Sequence, residues 1–100
     1  MKIYVDDLRN PENYNLRNYI LARTVDAAIE LLSTNKIEFA SLDHDMGDGE
    51  KDGTYLINYI EENNLWPTEG VHVHSQNPVG RRNMEAAIKK HYGRTFNVPM

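Results

Sequence analysis

Four short apolar runs, residues 2–5, 19–23, 37–42 and 71–74, punctuate this chain, and the last three each lead toward an amphipathic stretch. That alternation constrains the fold more than any other feature. Each run is too short for a helix and suits a buried strand. Thr24 can cap a helix with Val25, Ala28, Ile29 and Leu32 on one face, ending near Asn35. Asp52 can cap a second helix over residues 53–64 that buries Leu56, Ile57 and Ile60, with Trp66-Pro67 marking its end. Asn77 before Pro78 opens a third, with Met84, Ala87 and Ile88 inward and Gly93 as its stop. Residues 8–18, with Pro11 and several asparagines, read as a loop where a first helix would be expected. The expected architecture is a three-layer α/β sandwich with right-handed crossovers and a mostly parallel sheet of four or five strands.

The runs end in polar clusters. Asp6-Asp7 follows the first, Asp43-His44-Asp45 the third, and the fourth closes in His74-Ser75-Gln76-Asn77. Because an open parallel sheet binds its ligands beyond the carboxyl ends of its strands, these endings define a candidate site. Two carboxylates ~4 Å apart repel by about 4 kcal/mol at an effective dielectric near 20. A cluster of Asp6, Asp7, Asp43 and Asp45 therefore needs a cation, an arginine or a proton. Magnesium, or manganese in its place, suits a few carboxylates completed by water and phosphate oxygens. Arg9 can serve a carboxylate or a phosphate. His44 and His74 can exchange protons near neutral pH, whereas His72 in mid-strand reads as packed and His91 as a complement to a helix dipole. Ser75, Asn77, Arg81 and Asn83 surround the start of the third helix, where an anion is favoured.

Other classes fall away. One hundred residues with 40% hydrophobic content make one domain over residues 1–100, with a core of about 2–93 and a tail at 94–100. A net charge of -4 argues against a broad nucleic-acid surface. With no cysteine, disulfides and thiolate metal sites are excluded. Counting an EF-hand loop from Asp48 puts Tyr59 where the bidentate glutamate belongs. No P-loop, GxSxG elbow or HExxH is present. No membrane-length apolar run or signal-like start is seen, so a cytoplasmic location is the default expectation. Phe96 and Val98 in the tail can form an edge strand, cover an edge or pair with a second copy in a homodimer.

Three ordered segments carry a family resemblance: Asp6-Asp7-Leu8-Arg9, Ser41-Leu42-Asp43-His44-Asp45-Met46-Gly47, and His74-Ser75-Gln76-Asn77-Pro78-Val79-Gly80-Arg81-Arg82-Asn83-Met84. Together they resemble the cyclic-phosphate-processing receiver domain family, relatives of response-regulator receivers. The resemblance implies a flavodoxin-like fold in which Asp6 and Asp7 match the acidic pair after the first strand, Asp43 the aspartate after the third, and Ser75 the hydroxyl residue after the fourth. Two features depart from an ordinary receiver: the polar first crossover, and the lack of a fifth strand carrying the signalling lysine.

The function expected from residues and resemblance together is a phosphoesterase. It would open a cyclic phosphate on an RNA end or a nucleotide, with Asp6, Asp7, Asp43 and Asp45 around a divalent metal. Asp43, His44 and His74 would be catalytic, while Arg9, Ser75, Asn77, Arg81 and Asn83 bind substrate. A non-catalytic module that sequesters a cyclic nucleotide or other phosphate ligand is the alternative, and a phospho-accepting regulator the third reading.

Overall fold

In the computed structural model, which describes residues 1–97, the strands are β1 (Lys2–Val5), β2 (Tyr19–Ala22), β3 (Phe39–Leu42) and β4 (Gly70–Val73). The helices are α1 (Val25–Thr34), α2 (Gly53–Asn63) and α3 (Pro78–Tyr92). All strand pairs are parallel, in the order β2-β1-β3-β4. The expected caps form: Thr24 accepts from the Ala27 amide, Asp52 from Tyr55 and Asn77 from Gly80, and Gly93 ends α3 at φ 79°.

Strand alternation gives the sheet two unlike faces. Ile3, Val5, Ala22, Ala40, Leu42, Val71 and Val73 share one face and join the buried sides of all three helices in a single core. The other face carries Tyr4, Ser41 and His72 in one register row. Stepping from β1 back to β2 reverses the direction of the later crossovers, which sends residues 8–18 over that polar face. This third layer is thin. It holds only a 3-10 turn, Pro11–Tyr14, with Pro11 and Leu16 buried, rather than a full helix. Phe96 folds back to meet Phe39 edge-on and lies against Gly70, so the tail covers part of the sheet. Val98 lies outside the described residues. No helix among the described residues is long and apolar enough to cross a membrane.

Register positions the site. Val5 stands opposite Leu42, and Leu42 opposite Val73, so the three strands end level with one another. The ladder runs one residue further: Asp43 N–H donates to Val5 and His74 N–H to Leu42, both at 2.9 Å. Asp6, Asp43 and His74 thus follow in one row across adjacent strands, on the same face as Tyr4, Ser41 and His72.

Candidate functional site

Asp6 is fully buried and its acceptor positions are filled. Oδ1 accepts the Leu8 and Arg9 amides at 2.9 and 2.8 Å, while Oδ2 accepts Arg9 Nε and His74 Nε2, each at 2.9 Å. Burial alone would raise its pKa. The hydrogen bonds and the Arg9 charge outweigh burial and hold the carboxyl below its usual range.

Arg9 spans two acids. Its Nη2 lies 3.3 Å from Asp43 Oδ2 while Nε holds Asp6, and Nη1 reaches the His74 carbonyl at 3.4 Å. The guanidinium has five N–H groups, and these contacts leave two of them. Asp43 is 5% exposed. Burial and the neighbouring Asp6 charge raise its pKa, which Arg9 and the His44 amide on Oδ1 only partly oppose. Of the two carboxylates, Asp43 is therefore the more readily protonated.

His74 lies back over β3. Nδ1 meets Ser41 Oγ at 2.8 Å, Nε2 meets Asp6, and the ring is stacked on Tyr4. Burial drives its pKa down to about 4, despite the counteracting Asp6 bond, so the ring is neutral near pH 7. Asp6, Asp43 and His74 bring potential ligand atoms within 4.8 Å of one another. As a metal set, however, this trio is already spoken for. The His74 nitrogen nearest Asp6 carries the proton that the carboxylate accepts, and Arg9 supplies the positive charge.

Above the row opens a hollow of about 520 Å³, walled by Asp6, Asp7, Arg9, Asp43, Asp45 and Ser75 among others. Asp7 also borders a neighbouring hollow beside the start of α1, and no cation pairs with it among the described residues. Ser75 Oγ accepts the Asn77 amide at 3.1 Å, which leaves its hydroxyl proton to offer.

The remaining sequence candidates sit elsewhere. His44 turns away from the hollow, with Nδ1 on Asp45 at 2.9 Å and Nε2 on Thr54 at 3.1 Å. Its ring packs on Gly80, fixing α3 against the loop after β3. Asn77 is occupied in capping Gly80 and donating to Asp45. Arg81 pairs with Glu85 at 3.3 Å, and Asn83 is exposed on α3, outside the hollow's lining. The sequence reading missed Tyr4 and Ser41. Their signal was present as an i, i+2 polar alternation leading into Asp6 and Asp43.

A search of curated proteins found no match. The family model for the cyclic-phosphate processing receiver domain matches residues 1–90. Asp6, Asp43 and Ser75 meet beside one hollow at the ends of three parallel strands, and this chain belongs to the cyclic-phosphate processing receiver domain family.

Proposed function

We propose that the protein is a phosphoesterase that opens a cyclic phosphate, on a nucleotide or an RNA end, in the hollow above Asp43. The observation carrying this reading is Arg9: a guanidinium pinned by Asp6 and Asp43, with two N–H groups to spare beside an open cavity. Such a fork is preorganised for nonbridging phosphate oxygens, and its carboxylate partners remove the reorganisation that a free arginine would need. The Ser75 hydroxyl adds a third donor.

In the reaction, a water oxygen bonds to phosphorus and one ring P–O bond breaks. Asp43 takes the water's proton. The leaving ribose oxygen departs toward the open mouth and takes its proton from solvent water there, and Asp43 then returns the proton it accepted to solvent. His74 does not touch substrate in this scheme; it fixes Asp6, and through it Arg9, as a positioning residue. Asp6 has its lone pairs filled, whereas Asp7 lines the same hollow as Asp43 with no cation partner among the described residues, so Asp7 and Asp43 would hold Mg²⁺ or Mn²⁺, which would supply Lewis-acid charge to the phosphate.

The test is turnover of cyclic mono-, di- and oligonucleotides with added magnesium or manganese. Linear product lost in Asp43→Asn supports a phosphoesterase. Tight binding with every ligand returned intact would instead make the chain a sequestering module.

A further inference from the structure

The hydrogen bonds beneath the site continue past His74. An Asp6 carboxylate can only accept, so His74 Nε2 donates, and Nδ1 must then accept the Ser41 hydroxyl proton at 2.8 Å. Ser41 Oγ is in turn free to accept from His72 Nδ1, a longer contact of 3.5 Å. In the tautomer that continues this chain, His72 carries its proton on Nδ1 and Nε2 is left as an acceptor. Burial and the nearby Arg81 charge lower the His72 pKa, which favours the neutral ring.

His72 borders a second hollow of about 390 Å³ that also includes Arg81. Arg9, Tyr14, Ser75 and Gln76 line both hollows, so the two are lobes of one groove with Arg9 in the shared wall. The acid lobe ends in carboxylates. The second lobe has none in its lining and offers instead a guanidinium, a phenol and an imidazole acceptor. Arg81 uses Nε on Glu85, which among the described residues leaves both Nη groups to meet a ligand.

Resting on the phosphoesterase reading, we propose that the second lobe binds a second phosphate, one nucleoside removed from the cyclic one. Arg81 holds that phosphate, and His72 Nε2 accepts from the free 2′-hydroxyl of the ribose on its far side. The ligand class is a cyclic phosphate with a further phosphodiester attached, which occurs at an oligonucleotide end and in a cyclic dinucleotide.

Calorimetric affinities, with kcat/KM where product forms, would be compared for uridine 2′,3′-cyclic phosphate, a uridine dinucleotide ending in the same cyclic phosphate, a linear dinucleotide and a cyclic dinucleotide. A ligand with the second phosphate is expected to exceed the mononucleotide by about tenfold or more, the scale of a charge-assisted contact. Arg81→Ala should erase that ratio, and Arg81→Lys should restore part of it; α3 is checked by circular dichroism. Whether the oligonucleotide end or the closed ring gains the advantage identifies the source. Equal values for one and two phosphates, or an advantage that survives Arg81→Ala, overturn the subsite while leaving the cyclic-phosphate reading intact. Arg81-dependent binding of the linear dinucleotide, with every cyclic phosphate ignored, would keep the subsite and remove that reading. If no ligand binds, both are overturned.

Discussion

The imidazole of His74 lies flat on the phenol of Tyr4, with ring centroids 4.4 Å apart and planes 3° from parallel. Protonating that ring would place a charge in a buried slot, so the folded state resists it. With an ordinary pKa of 6.5 and a folded value of about 4, the unfolded chain binds the proton first as pH falls. Stability is then complete above pH 6.5 and declines on the way to pH 4, by on the order of 3 kcal/mol. His72, also lowered, acts in the same sense; Asp43, raised, acts in the opposite sense at the acid end. Urea unfolding from pH 7.5 to 4.5 should show this slope in the native protein and a clearly flatter one in His74→Gln.

That network explains what could be read before the fold was known. Thr24, Asp52, Asn77 and Gly93 carry their meaning locally, in a cap or a left-handed turn, and the helices begin and end where those residues indicate. Asp6 and Asp7 do not. Which of two adjacent aspartates points toward Asp43 depends on the β1–β3 register, and that is a long-range property. The same holds for His44 and His74, both beside polar neighbours in sequence, although one packs on Gly80 and the other over Ser41. His91 shows the limit again: it stacks on Trp66 at 4.4 Å, a contact no helix-end rule contains.

Removing Arg9 should expose the repulsion it now cancels. In Arg9→Ala the buried Asp6 and Asp43 face each other without a cation, and the expected loss is about 2–4 kcal/mol at pH 7. Adding Asp43→Asn to Arg9→Ala removes one of the two charges, so the double variant should be more stable than Arg9→Ala alone. A denaturation double-mutant cycle checks this; strictly additive losses would mean that the two residues are not coupled.

Metal binding should follow Asp7 and Asp43 rather than the trio within 4.8 Å. A ligand that binds only the folded state raises the melting temperature in proportion to RT ln(1 + [L]/Kd). Millimolar magnesium or manganese should therefore raise the native melting temperature, and Asp7→Asn should abolish the increase. His74→Gln should retain it. The reverse pattern would place the ion between Asp6 and His74.

Gly80 is the contact through which α3 meets His44. A methyl group there would collide with the His44 ring carbons, too close for any packed pair. Gly80→Ala should cost about 1–3 kcal/mol by overpacking, although alanine is the better helix former. Shrinking the neighbour tests the cause: in a His44→Ala background the same substitution should be neutral or stabilising by urea midpoint.

Tyr4 offers the opposite case, in which deleting an atom should help. Its hydroxyl is buried with no hydrogen-bond partner among the described residues, and burial together with Asp6 pushes its pKa to about 12. An unpaired buried hydroxyl costs about 1–3 kcal/mol, while the ring's stacking on His74 needs only the aromatic plane. Tyr4→Phe keeps that plane and removes the unpaired group, so it should raise stability by about 1 kcal/mol. It should also leave the pH slope unchanged, because His74 keeps its Asp6 and Ser41 bonds. If Tyr4→Phe instead lowers stability by a similar amount, the hydroxyl is satisfied in solution by a buried water, which the polar surroundings of Asp6 and Arg9 would favour.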